Sequence, residues 1–363
     1  MIELGDVVST LQKYDDDTFS GCFCDPPYGL NFMGKKWDGQ VPDVTVWKEV
    51  YRVLKSGSML LAFGGTRTWH RLAVAIEDAG FEIRDTVMWV YGSGFPKSYN
   101  IGKAVDAFNA TGKSTPKAMR EVRMGDDYKP TGQKDYRKGR MFGTDIENDD
   151  NNHVVSNEWE GYGTALKPAY EPIIMAMKPV AKNYVDNVLK HGVGGINIDA
   201  SRIGTETRTY KGSGSQPNKL DNHEKGSTGI GYADGRGADN EYTVNGRWPA
   251  NFIHDGSVDF PESRFFYCAK ASKKEKNEGV EHNNNHPTVK PIELCEYLAK
   301  MILPPKEHKL LVPFSGSGSE VIGALKAGWK DVTGIEISDE YVEIAKKRIE
   351  HHCGIRGLEK FFV

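Results

Sequence analysis

The segment KLLVPFSGSGSEVIGALKAG, from Lys309 to Gly328, reads as a buried strand, a glycine turn and a helix. A strand that is apolar throughout, joined to a helix by a tight turn, belongs to a parallel sheet covered on both faces. DVTGIEI and DEYVEIAKKRIEHH repeat that order directly afterwards, and PIELCEYLAKMIL, opened by Pro291, supplies a helix before it. The N-terminal part carries the same alternation. Phe19 to Cys24 is a short apolar run, and VWKEVYRVLKSG (Val46 to Gly57) has helical spacing and a glycine stop. SMLLAFGG is a strand, TWHRLAVAIEDAG a helix and FEIRDTVMWV a strand. The expectation is one doubly wound, mostly parallel α/β sheet, begun at the N-terminus and completed at the C-terminus.

Between these halves the pattern dissolves. Lys97 to Lys167 is polar, with clusters of charge, and YEPIIMAMKP (Tyr170 to Pro179) returns as a strand. Thr205 to Gly246 is rich in Gly, Ser and Asn and is read as a long loop. The expected division is 1–99 for one half of the sheet domain, 100–285 for an insertion, and 286–363 for the other half. A chain of 363 residues with 38% hydrophobic content suits one large domain with an insertion, or two domains. No apolar run reaches the length of a transmembrane helix, and MIELGDVVSTLQ lacks the basic-then-apolar order of a secretory signal. The five cysteines include no CxxC pair, so no metal centre is expected and the thiols are read as reduced, in a cytoplasmic protein. A net charge of −3 requires any nucleic-acid surface to be local.

Gly316 and Gly318 permit a tight turn and close backbone approach to a ligand. Glu336 ends the next strand, where a carboxylate can accept from two ribose hydroxyls. An adenosine-containing ligand is implied; a plain tight turn is the other reading of the glycines. Val321 stands where a dinucleotide fingerprint wants a third glycine. ATGKS, at Ala110 to Ser114, has Ala107 where a phosphate loop needs glycine. S-adenosylmethionine (AdoMet) therefore fits better than a dinucleotide.

The run FCDPPYGLNFMG places Asp25, Pro26, Pro27 and Tyr28 directly after a strand. The prolines lack N–H groups and stiffen the segment, so its carbonyls can point outward. Asp25 offers carboxylate acceptors, Pro26 a carbonyl and Tyr28 a flat face: a receptor for an aromatic ring bearing an amino group. The amino nitrogen of adenine or cytosine is a poor nucleophile, because its lone pair is delocalised. Acceptors gripping its hydrogens turn that lone pair toward an electrophilic methyl group, and a carboxylate stabilises the charge that develops. The base must be flipped out of a duplex to be held in this way. A rigid proline loop packed by a tyrosine is the bland alternative.

These residues resemble those of the amino-group DNA methyltransferases, the N6-adenine and N4-cytosine enzymes. DPPY first, an irregular middle and FSGSG near the end match the permuted β group, a resemblance that implies a catalytic half at 1–99, a target-recognition region within the insertion at 100–285, and an AdoMet-binding half at 286–363. The resemblance implies a seven-stranded, Rossmann-like AdoMet-dependent methyltransferase sheet and double-stranded DNA as partner, with no membrane; a homodimer stays open. It implies that Asp25, Pro26, Pro27 and Tyr28 form the catalytic loop, with Phe63 and Gly64 at the next strand end. On the cofactor side it implies Asp6, Cys24, Asp25, Phe314, Ser315, Gly316, Ser317, Gly318 and Glu336, with Thr288 and Lys290 of HPTVKP holding the methionine carboxylate. Many members carry an acid where this chain has Val312, and Glu320 is read as its replacement. An acid before PPY points to adenine N6; cytosine N4 is the runner-up. RNA or protein-glutamine methylation, and a non-catalytic DNA-binding relative, are more remote. DNA is expected on the basic segment carrying Lys113, Lys117, Arg120, Arg123, Lys134, Arg137, Lys138 and Arg140, where a mixed-charge surface helix is the alternative. The setting implied is a bacterial or phage-infected cell.

Overall fold

Apolar strands from the two ends of the chain interleave in one sheet. The computed structural model describes residues 2–30, 38–94, 96, 98–119, 157–211, 241–257, 265–281, 283–286 and 288–354. The main strands are β1 (Ile2–Leu4), β2 (Phe19–Cys24), β3 (Leu54–Phe63), β4 (Glu82–Val90) and β5 (Tyr170–Met177). A two-stranded ribbon follows, β6 (Ile203–Lys211) with β7 (Glu241–Arg247), then the short β8 (Phe252–His254) and β9 (Phe266–Tyr267). The last strands are β10 (Lys309–Pro313) and β11 (Asp331–Glu336). The sheet order is β1-β11-β10-β2-β3-β5-β4-β8-β9. The expected seven strands are thus extended by β8 and β9 at one edge.

The pairs β1–β11, β11–β10, β10–β2 and β2–β3 are parallel, and β3–β5 is antiparallel. Every residue of β2 is buried, as a strand covered on both faces requires. The helices are α1 (Val7–Leu11), α2 (Val44–Val53), α3 (Trp69–Asp78), α4 (Ile101–Thr111), α5 (Tyr184–His191), α6 (Lys273–Asn277), α7 (Ile292–Met301), α8 (Ser319–Ala327) and α9 (Asp339–Cys353). In α2, Asp43 caps the first turn by accepting from the Thr45 N–H at 2.8 Å, and Trp47, Val50 and Val53 form the buried stripe. That stripe joins Leu60, Ala62, Leu72, Ile76, Ile174, Leu311 and Ile335 in one core.

Two expectations need correction. The helix read over Val46 to Gly57 ends at Val53, and β3 begins at the next residue. Gly57 takes φ +84°, and its N–H donates to the Lys178 carbonyl at 2.8 Å, which draws the segment into the sheet. The stretch Thr205 to Gly246, read as a loop, pairs at its ends as β6 and β7. Thr205, Thr207 and Thr209 alternate with period two, with Thr207 opposite Asn245 and Thr209 opposite Thr243, and strand periodicity outweighs the polar composition.

The chain divides into two units, Met1–Met88 with Pro172–Val363, and Trp89–Glu171. The second unit carries α4, capped by Asn100, which accepts from the Lys103 N–H at 2.9 Å. Asn157 donates to Asp106 at 2.6 Å, and the Tyr91 hydroxyl to Glu171 at 3.2 Å.

In the first unit, α7 and α8 cross closely at Gly323. A Cβ there would lie 2.4 Å from the Cys295 Cβ and 2.7 Å from the Glu296 N. Gly323→Ala is expected to lower unfolding free energy by about 1–3 kcal/mol, the usual range for overpacking, as read in urea titration.

Candidate active site

Parallel pairing of β2 with β10, through Leu310 opposite Gly21 and Leu311 opposite Cys22, brings two distant loops to one carboxyl edge of the sheet. One is Asp25 to Tyr28 and the other is Phe314 to Gly318. Such an edge is where open α/β sheets bind ligands.

The Asp25 carboxylate forms an ion pair with Lys290, and both side chains are nearly buried, at 11% and 5% exposure. Lys290 Nζ also donates to the Tyr28 hydroxyl at 3.2 Å and lies 4.7 Å from the Phe63 ring centroid. The structure thus sets Lys290 against Asp25 and Tyr28, while Thr288 of the same segment is exposed. Tyr28 is held from three sides. Asp38, buried at 3%, accepts from the N–H groups of Tyr28 at 2.8 Å, Gly29 at 3.0 Å and Leu30 at 3.3 Å. The Thr68 hydroxyl donates to the Tyr28 carbonyl at 2.6 Å. The Tyr28 ring lies on Gly65, where a Cβ would come within 3.0 Å of it. Pro26 is buried.

The second loop has the conformation its glycines permit. Gly316 and Gly318 take φ +49° and +82°, and Phe314 also has positive φ, +63°. A Cβ on Gly316 would meet His286 Nε2 at 2.8 Å, so this cradle needs glycine. The Phe314 ring is 6.5 Å from Trp47. The Glu336 carboxylate accepts from the Gly316 N–H at 2.8 Å and the Ser338 N–H at 2.9 Å. Burial pushes its pKa up, against the pull of those N–H groups. A carboxylate has roughly four lone-pair sites, so two further hydroxyls can be received. Asp6 lies just beyond β1, whose Leu4 pairs with Glu336; it is exposed and caps α1 by accepting from the Ser9 N–H at 3.1 Å. The Ser315 Oγ is buried, with no hydrogen-bond partner among the described residues. An orphaned hydroxyl, a glycine cradle and a carboxylate with spare acceptors fit an adenosine-bearing cofactor.

Burial pushes the Cys24 thiol well up, so it is a neutral group at the end of β2. Val312 is fully buried in β10. Glu320, in the first turn of α8, is 4% exposed. Its burial, then the charge of Asp25, push it up to about 7, against the pull of Lys290 and Arg348. Arg348 is fully buried and donates to the Ser317 carbonyl at 2.6 Å, the Ser317 hydroxyl at 3.1 Å and the Ser319 hydroxyl at 3.2 Å, tying α9 to the glycine loop.

Lys113 and Lys117 are exposed beyond α4. Arg120, Arg123, Lys134, Arg137, Lys138 and Arg140 lie outside the described residues. Sequence reasoning did not find Asp38, Thr68 or Arg348. A lone acid, a threonine and an arginine on a helix carry no local signal; only the fold reveals their partners. Glu278, His351 and His352 bring donor atoms within 4.8 Å of one another. Burial, then the charges around it, Arg348 first, hold His352 below its ordinary value, and the Arg348 cation opposes a metal ion as well.

A family described as DNA methylase, of the N6/N4 methyltransferase type, matches residues 19–347. The chain belongs to that DNA methylase family. It is 28% identical over 152 residues to the type II methyltransferase M.HindIII of Haemophilus influenzae, a match covering 41% of this chain and 36% of that one, so the shared stretch spans about a third of the relative. Among solved structures, the M1.HpyAVI–SAM complex is similar at TM-score 0.44 and 16% identity, covering 96% of this chain and 98% of that one. The cytosine-N4-specific PvuII DNA methyltransferase is similar at TM-score 0.46 and 13% identity, covering 96% and 85%.

For this DNA methylase site, Asp38→Ala strands three N–H groups. Amide exchange at Tyr28 to Leu30 is expected to accelerate, and any methyl transfer to fall more than about tenfold, since bonds to charged groups are worth roughly 1.5–3 kcal/mol. Glu320 binds its proton more tightly in the folded state, so its contribution to stability is present below the ordinary carboxyl range and is lost as pH rises toward about 7. Glu320→Gln should therefore gain stability relative to the parent as pH increases across that window in denaturant titrations.

Proposed function

We propose that the chain transfers a methyl group from AdoMet to the exocyclic N6 of a flipped adenine in double-stranded DNA. The observation that carries this reading is the β2–β10 pairing, which sets the Asp25–Tyr28 loop beside the glycine loop. Bound AdoMet supplies an electrophilic methyl group. Asp6, Phe314, Ser315, Gly316, Ser317, Gly318 and Glu336 form the cofactor side, with Glu336 receiving the ribose hydroxyls and Glu320 the ammonium in place of the acid missing at Val312. Tyr28, fixed by Asp38, Thr68 and Gly65, is the platform on which the flipped base stacks, an interaction worth about 1–3 kcal/mol per base. Asp25 and the Pro26 carbonyl accept from the amino group and turn its lone pair out of the ring. Lys290, paired with Asp25, gives up that carboxylate as the amino group arrives. The buried walls hold water away and fix nitrogen and methyl in line.

Adenine is preferred to cytosine because Asp25 precedes Pro-Pro-Tyr, by analogy with the N6 enzymes; N4 of cytosine is the second reading. The basic stretch from Lys113 to Arg140 is proposed to track phosphates. Its charges are net positive in a chain of net charge −3.

Incubating the protein with methyl-labelled AdoMet and DNA, RNA or protein, then digesting the labelled DNA to nucleosides, tests the reading. N6-methyl-2′-deoxyadenosine label is expected; label in deoxycytidine moves the assignment to N4, and label in RNA or protein alone overturns it. Asp25→Ala should lower transfer by about a hundredfold or more while AdoMet affinity changes little. Glu336→Ala should weaken AdoMet by roughly tenfold or more, as calorimetry would read, with a smaller effect at saturating cofactor.

A further inference from the structure

The ribbon β6–β7 forms a sheet of its own, apart from the nine-stranded one. A two-stranded ribbon is only marginally stable in isolation, and residues 204–207, 209, 243 and 245 are all exposed. Its base is held nonetheless. Ile203 is buried, and the Ser201 carbonyl just before it accepts from the Tyr297 hydroxyl of α7 at 3.2 Å. Gly246 takes φ +78°, with the Gly204 carbonyl 2.6 Å from where a Cβ would stand. The register shifts between Ile203 and Thr207, an irregularity that bends a ribbon.

The two faces differ. Alternation puts Thr205, Thr207 and Thr209 on one face with Thr243 and Asn245. The Thr207 hydroxyl lies 3.1 Å from Asn245 Oδ1, and the hydroxyls of Thr209 and Thr243 are 3.2 Å apart. Over Thr207, Thr209, Thr243 and Asn245 that face is made of hydroxyls, one amide and threonine methyls, and the same alternation continues it to Lys211 opposite Glu241. The other face carries Arg208, whose guanidinium pairs with Glu206 at 3.0 Å; Arg247 approaches the same acid at 3.7 Å. Arg202, at the root, lies 5.7 Å from the ring of Trp248, which is 64% exposed. With Arg202 and its partner Asp199, the ribbon and its root hold four basic residues against three acids, in a chain that is acidic overall.

We propose that β6–β7 is the element that reads the base sequence of the DNA, laid into the major groove with its threonine–asparagine face toward the base edges. This rests on the reading of DNA as the substrate. A two-stranded ribbon matches a groove about 12 Å wide. Threonine donates to or accepts from base edges, its methyl group meets the thymine methyl, and asparagine pairs with adenine in bidentate fashion. The threonine–asparagine face, exposed at Thr207, Thr209, Thr243 and Asn245, gains its packing from such a groove. Arg202, paired with Asp199 at 2.8 Å, and Arg247, 3.7 Å from Glu206, exchange those acids for phosphates at the root of the ribbon. The span from Thr205 to Thr209 is about 13 Å, the rise of about four base pairs, so the ribbon reads a short site.

The test sequences genomic DNA fragments captured by the full chain in the presence of AdoMet, and maps methylated positions in parallel. The proteins are wild type, Thr207→Ala/Thr209→Ala/Thr243→Ala/Asn245→Ala, and Arg202→Gln/Arg247→Gln. The alanine variant is expected to bind AdoMet and total DNA as the wild type does, and to lose its preference for one sequence by roughly tenfold or more. The arginine variant should keep the preference and reduce the slope of log affinity against log salt by up to about 2, each arginine neutralising one phosphate. An alanine variant that selects and methylates the same sequence at the same rate overturns the proposal. If that variant no longer binds AdoMet, Thr209→Ala and Asn245→Ala singly carry the same criterion. Should the wild type capture one sequence yet transfer no methyl group, the proposed activity fails while the ribbon is still judged by the captured fragments.

Discussion

The parallel pairing of β2 with β10 joins strands that lie almost a whole chain apart in sequence, with Leu310 standing opposite Gly21. Each half of the sheet, taken alone, would leave an edge that is apolar on both faces, and neither edge is stable in water. The register is fixed by packing as well as by hydrogen bonds. At Gly21 a Cβ would lie 3.1 Å from the Trp329 ring and 3.2 Å from the Leu310 side chain, so the absent side chain is what lets the C-terminal half close down. Closing so long a loop costs little extra, because the entropy grows only with the logarithm of length. That is why a large polar insertion is tolerated between the halves, and why folding waits on a contact of very high sequence separation.

Closure also concentrates charge. Asp25, Lys290, Glu320 and Arg348 come together in a region where an isolated ion is costly. Two acids and two bases roughly cancel; Lys290 also donates to the Tyr28 hydroxyl, and Arg348 Nη1 to Ser317 and Ser319, while Arg348 Nε and Nη2 are buried with no hydrogen-bond partner among the described residues. Glu320 is the least compensated member, which its upward shift to about 7 expresses. Val312, fully buried in β10, keeps the count of acids from rising further. With Glu320 present, an additional carboxylate at that strand end would have to ionise beside two others. The apolar residue of β10 and the buried acid of α8 are thus two sides of one electrostatic arrangement.

The alternating halves were legible in the sequence because burial on both faces forces long apolar runs, and glycine stops mark their ends. The glycine loop and DPPY were legible for a related reason: positive φ at Gly316 and Gly318 and the stiffness of paired prolines are backbone demands written in residue type. What stayed hidden is pairwise. Asp38 is one acid among many until its carboxylate is seen under three N–H groups, and Arg348 reads as a solvated helix residue until it proves fully buried. Lys290, implied by resemblance to face the cofactor, stands on Asp25, a partner 265 positions away that no local pattern names. The ribbon was missed because a long polar stretch was judged by its composition, while its ends obey the period-two rule of strands.

The division between sheet and ribbon has a physical logic. Residues of β2 and β10 are packed on both faces, so a change there alters the fold before it alters a preference. Discrimination between DNA sequences needs side chains that can be exchanged at small cost in stability. Exposed threonines on a two-stranded ribbon meet that condition, since little is buried against them. The same exposure makes the ribbon one of the least stable parts of its unit, the class of element from which binding surfaces are drawn. Rigidity is concentrated instead on Tyr28, where Asp38, Thr68 and Gly65 fix one ring in one place. On the proposed reading, the target base presents the same ring whatever sequence surrounds it, so its platform has no reason to vary, and the bases that do vary would fall to the part of the chain that the core does not constrain.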